Sequence, residues 1–235
     1  MPLPVRALSA RALAILRTEG VGAVLRHTLT YGAFLSRRVI RYNRSYLYTH
    51  EVRNRDEKEF LPRLDSWDVR IMHSNAEADA VAAEGFEDLR KVFVHSSYSL
   101  DRGAIAFCIF SGRTLAHVGW LALTPEAKQH VDRLPYAVDF LGGQACSGGT
   151  YTVPRFRGKG LMAYGYYIRL EYLRQHGYTS SRNAVRVDNR ASQRVHAKFD
   201  PEIRGTGRLI QVLRWRAWKE TPFPEGPARR LPPAR

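Results

Sequence analysis

The amino-acid sequence predicts a mixed α/β fold (class α+β) for this chain of 235 residues. From about Trp67 onward, short apolar runs typical of strands alternate with segments that have helical spacing. A hydrophobic content of 44% is typical of a globular protein, and a chain of this length can bury one sizeable core. We therefore expect one α/β domain over residues 46–220, preceded by an arm and followed by a tail.

The first 45 residues are interpreted as a basic helical arm. Eight arginines face a single acid there, Glu19, and apolar residues recur at helical spacing. Gly20 and Gly22 are expected to divide the arm into two helices. A basic amphipathic helix can lie on an anionic membrane surface, and the same apolar stripe can instead pack on the main domain. Both interpretations stay open.

Within the domain, the pattern predicts strands and helices in alternation, with a hairpin turn at Ser111–Gly112. Residues 221–235 hold five prolines and are expected to form a disordered tail. The predicted strands are 67–73, 92–95, 104–111, 113–123, 145–153, 183–187 and 208–218, and the predicted helices are 77–91, 161–176 and 189–199.

The charge balance favours anionic partners. A net charge of +15 and a pI of about 10.3 suit nucleic acid, acidic lipid headgroups or a phosphorylated cofactor. Two cysteines are too few for a disulfide framework, and the cysteines and histidines show no metal-ligand spacing. No run approaches the ~18 apolar residues that a spanning helix needs. We expect a cytoplasmic protein without a metal, with peripheral attachment to the inner membrane face as a refinement if the arm binds lipid.

The stretch Val153–Gly165, VPRFRGKGLMAYG, lies between a predicted strand and a predicted helix. The start of a helix offers unpaired N–H groups and a positive dipole end, which favour a phosphate. Gly158 and Gly160 allow the backbone to approach a ligand closely, and Arg157 and Lys159 add positive charge. The spacing is neither that of a P-loop nor that of a dinucleotide fold. Taken alone, the stretch is interpreted by default as a solvated basic turn, with an anion-binding loop as the alternative.

Two stretches together resemble the GNAT (GCN5-related) acyl-CoA N-acyltransferase superfamily. Thr152 to Leu161, TVPRFRGKGL, resembles the acetyl-CoA loop of that family: a strand, a proline, an aromatic residue, then Arg-Gly-x-Gly. Val187 to Phe199, VDNRASQRVHAKF, is similar to its second signature, with Asn189, a serine three residues on and a lysine nine residues on. The resemblance covers about residues 67–218. It implies a central twisted mixed sheet, splayed between its fourth and fifth strands and flanked by helices.

The resemblance also implies acetyl-CoA, or another acyl-CoA, as co-substrate. The backbone of Arg157–Met162 would wrap the pyrophosphate, Tyr151–Val153 would pair with the pantetheine arm, and Asn189 would hydrogen-bond that arm. A backbone N–H near Tyr151 or Thr152 would stabilise the oxyanion. The implied cofactor-binding residues are Tyr151, Thr152, Val153, Arg157, Gly158, Lys159, Gly160, Leu161, Met162, Asn189 and Ser192.

The chain departs from the family pattern at two positions that bear on the site. Met162 stands where glycine or alanine is usual; its bulk can crowd the first helical turn, although related sequences tolerate a large residue there. The family often places a tyrosine seven residues after the asparagine as general acid, and this position is His196. Imidazole can deliver a proton near neutral pH, so His196 is the candidate catalytic residue, with a packed helix histidine as the alternative. No acid on the 145–153 strand is available as a general base.

The sequence therefore predicts an acyl-CoA-dependent N-acyltransferase, specifically an N-acetyltransferase, acting on an amine by direct attack in a ternary complex. The acceptor would be a small molecule, sugar, lipid, peptide or envelope precursor. One alternative is a GNAT-like transferase that uses another carrier, a tRNA or an acyl-carrier protein. Another is a non-catalytic nucleic-acid binder, which is disfavoured because no nucleic-acid module is recognised. The sequence sets neither the acceptor nor the oligomeric state.

Overall fold

A computed structural model describes residues 40–93, 95–213 and 215–223 of the chain. These residues form one eight-stranded mixed sheet with helices beside it, and the predicted mixed α/β class is confirmed. The strands are β1 (Ile40–Glu51), β2 (Asp68–Met72), β3 (Ile105–Ser111), β4 (Thr114–Ala122), β5 (Gln144–Thr152), β6 (Ser180–Arg186), β7 (Glu202–Val212) and β8 (Trp215–Pro222). The helices are α1 (Asn75–Ala83), α2 (Leu89–Val92), α3 (Ser96–Asp101), α4 (Pro125–Val131), α5 (Leu161–Gln175) and α6 (Arg190–Ala197), with 3-10 turns at Glu57–Glu59 and Pro154–Phe156.

The strands lie in the order β2-β3-β4-β5-β6-β1-β7-β8. From β2 to β5 each neighbouring pair is antiparallel, and β3 and β4 form the predicted hairpin, in which Gly112 takes a φ of 57°. Residues 44–208 and 219–223 belong to one compact unit. All the residues of the site described below lie in this unit.

The sheet opens between β5 and β6. These parallel strands pair only at their first three positions, from Gln144↔Ser180 to Cys146↔Arg182. Farther along, β6 stays paired with β1 on its other side, and β5 stays paired with β4. Among the described residues, the facing edges of β5 and β6 have no strand partner beyond Cys146. In the order of the sheet β5 and β6 are the fourth and fifth strands, so the predicted splay between these two strands is confirmed.

Helix α5 covers the sheet on the side of the main core. Leu161, Leu170 and Leu173 are buried on it and pack into a cluster with Phe107 of β3 and Phe199. Burying one such side chain contributes about 1.5–3 kcal/mol relative to leaving it exposed. This packing fixes the position of the first turn of α5, and hence of the loop that precedes it.

The region between β2 and β3 differs from the prediction. The predicted helix 77–91 is interrupted: α1 ends at Ala83, Gly85 follows with a φ of 88°, and α2 begins only at Leu89. A left-handed residue after a helix ends it, and glycine adopts that conformation without strain. The predicted strand 92–95 was wrong, because Val92 is the last residue of α2 and Ser96 begins α3.

The two ends of the domain differ as well. The sequence analysis missed β1, which begins at Ile40, so the proposed boundary at residue 45 falls inside a strand. The single strand predicted at 208–218 is two strands, β7 and β8, with Leu213 in the left-handed region between them. Strand β8 extends to Pro222, so the first two residues of the expected tail are strand residues. The predicted arm helices over residues 1–39 and the tail beyond residue 223 lie outside the described residues.

Candidate active site

The loop after β5 turns the chain into α5 through two glycines. Gly158 and Gly160 have φ values of 78° and 85°, a region in which a side chain is strained and glycine is not. Gly160 is the N-cap residue of α5, and Leu161 anchors the first turn, being 1% exposed. The predicted strand–loop–helix arrangement is therefore present.

The loop presents a row of unpaired backbone donors. Among the described residues, the N–H groups of Gly158 to Met162, five in sequence, donate to no acceptor. The carbonyls of Gly158 and Lys159 accept from Arg63, through its Nη2 and its backbone N–H respectively. In a trans peptide the N–H points away from the C=O, and the described chain has no cis bond. Arg63 therefore holds the peptide planes so that the N–H groups of Lys159 and Gly160 face away from it.

Exposed cations lie in the loop and beside it. Arg63, Arg155, Arg157 and Lys159 are all exposed, and the Arg157 Nε donates to the carbonyl of Thr152 at 3.2 Å. The free N–H groups and the positive end of the α5 dipole act in the same direction as these charges. The arrangement is suited to a phosphate or pyrophosphate.

A cleft of about 240 Å³ lies in the opening of the sheet. The cleft extends to the first turn of α5 at Met162, two residues after the N-cap Gly160, and the Met162 N–H is one of the five free donors. No aspartate or glutamate lines the cleft within the described part of the chain. Its walls are Ser147, Gly148, Gly149 and Thr150 of β5; Met162, Tyr166 and Arg169 of α5; Asn183, Ala184 and Val185 of β6; and Asn189, Ala191, Ser192 and His196 at α6.

Arg169 places a buried positive charge on the wall of this cleft. The side chain is 1% exposed. Its Nε donates to the Gly165 carbonyl at 3.0 Å, and its Nη1 lies 3.2 Å from the Thr150 Oγ1, 3.3 Å from the Trp120 carbonyl and 3.4 Å from the Gly148 carbonyl. Burial lowers the pKa of Arg169 to about 10, so the guanidinium remains charged at neutral pH.

His196 lines the cleft, but both of its ring nitrogens are engaged. Its Nε2 lies 3.3 Å from the Asn183 Nδ2, and its Nδ1 lies 3.1 Å from the Nε2 of His50 on β1. The Asn183 amide is a donor, so His196 carries its proton on Nδ1 and donates it to His50. Burial, and secondly the nearby Arg169, lower the pKa of His196 to about 3.

These contacts do not favour the predicted role of His196 as general acid. The imidazolium is scarce at neutral pH when the pKa is near 3, and the neutral ring has no N–H left for a ligand. The alternative of a packed helix histidine fits the geometry, because the ring is 4% exposed and lies edge-on to Tyr166 at 4.7 Å between centroids. A role in catalysis stays a prediction.

The predicted residues at the end of β5 lie beside the opening. Thr152 shares a hydrogen bond of 2.8 Å with the Nδ1 of His117 on β4, and the Val153 N–H donates to the Ala116 carbonyl. Tyr151 is 38% exposed and its ring contacts Phe93 edge-on. These contacts hold the segment on its β4 side. On the β6 side the described residues offer β5 no strand partner beyond Cys146, and the sequence analysis expected a pantetheine arm there.

The predicted residues on α5 and α6 have distinct local roles. Met162 does not crowd the first turn of α5, because it is half-buried and faces the cleft while Ala163 enters the core. Asn189 is the N-cap of α6, and its Oδ1 accepts from the Ser192 N–H at 3.1 Å. Asn189 and Ser192 both line the cleft. Capping thus accounts for the asparagine, whereas the Ser192 side chain takes no part in the cap, and a ligand contact by Asn189 stays a prediction.

The sequence analysis missed Arg169, Tyr166, Asn183 and Arg63. Met162, Tyr166 and Arg169 follow one another at intervals of four and three residues, which places them on one face of α5. An arginine on the buried face of an apolar helix is unusual, and that spacing was a usable indication. Arg63 gave none, because its contact with the loop joins positions 95 residues apart.

Cys146 is not placed for nucleophilic chemistry. Burial raises the pKa of its thiol to about 12, and its Sγ lies 3.3 Å from the Tyr136 Oη. A thiol of that pKa carries almost no thiolate at neutral pH. Within the described residues, no group of three or more metal-ligating side chains comes together. None of the described helices has the length and apolar character to cross a bilayer.

Comparison with known proteins finds similarity in solved structures alone. No protein-family model matches the chain, and no curated protein matches it significantly. Solved structures similar in fold include a GCN5-related N-acetyltransferase from Kribbella flavida (15% identity, TM-score 0.43, 77% of this chain and 63% of the other). Another is a putative acetyltransferase of the GNAT family from Novosphingobium aromaticivorans (12%, 0.43, 74% and 66%).

A third is the GCN5-related glucosamine N-acetyltransferase region of a fungal multi-domain GH3 β-N-acetylglucosaminidase (14% identity, TM-score 0.47). That match covers 78% of this chain and 23% of the fungal chain. In all three cases this chain spans less than two thirds of the other chain. At such identities the similarity concerns the fold alone, and the function proposed below is drawn from the residues of the loop and the cleft.

Proposed function

We propose that this protein is an acyl-CoA-dependent N-acyltransferase. The observation that supports the proposal is the continuity of the loop with the cleft. Five free backbone N–H groups, on a loop that carries three exposed cations, end at Met162, and Met162 lines the opening between two parallel strands. A ligand with an anionic head joined to a long, narrow arm would fill both the loop and the cleft, whereas a phosphate alone would leave the cleft empty.

Coenzyme A has this shape, and the residues present fit it. The N–H groups of Gly158 to Met162 would hold the pyrophosphate, with Arg155, Arg157 and Lys159 compensating its charge. The free edge of β5 at Tyr151–Val153 would take backbone hydrogen bonds from the pantetheine amides. The wall formed by Met162 and by Ser192 and Ala191 of α6 would enclose the arm. Bound acyl-CoA would supply the thioester at the inner end of the cleft.

The residues of the cleft are suited to positioning. In the transfer, the amine nitrogen of the acceptor forms a bond to the acyl carbon, the carbon–sulfur bond breaks, and the proton lost by the amine ends on the thiol. Holding the two reactants in line converts a bimolecular encounter into a local step. No carboxylate of the described residues lines the cleft, so these residues contribute orientation and hydrogen-bond donors. Acetyl-CoA is the donor we propose first.

The proposal is tested by calorimetric titration of coenzyme A and acetyl-CoA into the wild type and Gly160→Asp. The added carboxylate would occupy and repel anions from the free N–H groups, so we expect at least a hundredfold weaker binding, which is about 2.7 kcal/mol. Gly103→Asp is the matched control, since Gly103 has a φ of 77° and open space around it but lies far along the chain from the loop. Equal affinity of wild type and Gly160→Asp, or no binding by the wild type, would overturn the proposal.

A further inference from the structure

The guanidinium of Arg169 is a buried charge without a counter-charge. Its hydrogen-bond partners are three backbone carbonyls and one threonine hydroxyl, all neutral. Within the described residues it forms no ion pair, and its Nη2 donates to no atom. A charge taken out of water is costly unless an opposite charge or a full set of hydrogen bonds compensates it. The protein supplies hydrogen bonds to Nε and Nη1 and leaves Nη2 unused.

Other polar groups of the same cleft are also unsatisfied. The Tyr166 Oη and the Asn183 Oδ1 are buried and have no hydrogen-bond partner among the described residues. Both residues line the cleft together with Arg169. Buried polar atoms in folded proteins are nearly always paired, so two such atoms on the walls of one cleft, beside the Arg169 guanidinium, indicate a polar ligand. The positive charge among them selects an anion.

The position of Arg169 in the cleft indicates which part of a ligand it meets. Arg169 lies seven residues after Met162 on the same helix face, about 10 Å farther along α5 at 1.5 Å per residue. Under the function proposed above, the N–H groups of the loop would bind the pyrophosphate at the Met162 end. The group near Arg169 therefore belongs to the inner end, where the acyl group and the acceptor meet under the function proposed above.

We propose that Arg169 binds a carboxylate borne by one of the two substrates of this site. A planar carboxylate matches the geometry of a guanidinium donor. The carboxylate is either the far end of a dicarboxylic acyl group on the donor or the carboxylate of an amino-acid acceptor. This inference rests on the proposed function, since it assigns a substrate class to the same cleft.

The test compares matched ligands that differ in one carboxylate. For the donor, calorimetry measures succinyl-CoA against acetyl-CoA. For the acceptor, thiol release from acetyl-CoA is measured with free amino acids and with the corresponding amino-acid amides. The wild type is expected to prefer the carboxylate-bearing member of one pair by about tenfold or more, because an unpaired buried charge is compensated only by that member.

Two variants keep the result interpretable. Arg169→Met removes the charge and is expected to abolish the preference, which is measured as the ratio between the two members of each pair in the same variant. Arg169→Lys keeps the charge and is expected to retain part of the preference, which a purely structural role of Arg169 would not produce. If Arg169→Met does not fold, the comparison of Arg169→Lys with wild type still reports the preference.

The outcomes separate the two proposals. Wild type that binds acetyl-CoA but prefers the carboxylate in neither pair would overturn the role of Arg169 and leave the acyltransferase proposal standing. Retention of the full preference in Arg169→Met would do the same. Wild type that binds no coenzyme A at all would overturn both.

Discussion

His117, a buried histidine of β4 that bonds to Thr152 of β5, makes the stability of this protein sensitive to mild acid. His117 is inaccessible to solvent on β4, with its Nδ1 bonded to Thr152. Burial, with a smaller effect of the Arg169 charge, lowers the pKa of His117 from 6.5 to about 3. Below pH 6.5 the unfolded chain binds a proton at this site and the folded chain does not. The free energy of unfolding therefore falls as the pH decreases from 6.5 toward 3.

The size of this effect follows from the two pKa values. Between about pH 7.5 and about pH 5, a group with pKa 6.5 unfolded and about 3 folded loses roughly 2 kcal/mol of its contribution to stability. His117→Asn removes the titrating ring and keeps a side-chain amide near the position of Nδ1, within reach of Thr152. We expect this variant to lose about 2 kcal/mol less than wild type over the same interval.

Urea unfolding followed by tryptophan fluorescence, at several pH values across that interval, measures the difference. His176→Asn, which removes an exposed imidazole, is the reference for the loss of a histidine as such. Comparing the pH dependence of each variant with its own value at pH 7.5 removes any constant cost of the substitution. If wild type and His117→Asn show the same dependence on pH, the assignment of a buried neutral imidazole is wrong.

Three further outcomes are expected. Asn189→Ala should lower the free energy of unfolding by about 1 kcal/mol through loss of the α6 cap, whereas Asn189→Asp should retain it, as urea unfolding will show. Gly165→Ala should cost about 1–3 kcal/mol, measured by thermal unfolding, because its Cβ would lie 2.5 Å from the His117 Nε2. Cys108 and Cys146 should react with a thiol-specific reagent only after unfolding, because burial raises the pKa of both thiols; rapid reaction of the folded protein would contradict this.

The sequence predicted the part of the site that depends on local conformation. The loop from Val153 to Leu161 could be read because proline, two glycines and an apolar helix each constrain the neighbouring backbone. The cap formed by Asn189 and Ser192 is local as well, since it joins residues three apart. Both stretches were recognised from short spacings. Asn189 and Ser192 line the cleft, and the loop leads to Met162, which lines it as well.

The sequence did not predict the groups that reach the cleft from distant parts of the chain. His50 comes from β1, which was placed partly inside an arm, and it meets His196 across 146 residues. His196 looked suitable as an acid because the unperturbed pKa of histidine is near neutrality, whereas burial by a strand that was not predicted changes that property. The interruption at Gly85 was missed for a simpler reason, because one glycine in an otherwise helical pattern is tolerated often enough to be passed over.

The buried charge and the buried histidine serve the opened strand as well. Beyond Cys146, β5 has no partner on its β6 side. Two side chains instead form hydrogen bonds with the threonines of that segment: the Arg169 Nη1 with Thr150 and the His117 Nδ1 with Thr152. Each contact needs a glycine beside it, since a Cβ at Gly119 would lie 2.5 Å from the Arg169 Nη1 and one at Gly165 would lie 2.5 Å from the His117 Nε2.

A glycine inside a strand or helix costs roughly 0.5–1 kcal/mol relative to alanine, and an apolar side chain of similar volume often replaces a buried charge without loss of stability. Overall stability therefore does not explain this pair of polar groups and glycines. Fixing an unpartnered strand edge does explain the Arg169 Nη1, which contacts Gly148 and Thr150 of β5, while Nε bonds to Gly165 within α5. It leaves Nη2 without a structural purpose, and that donor is the part of Arg169 that a substrate carboxylate would use.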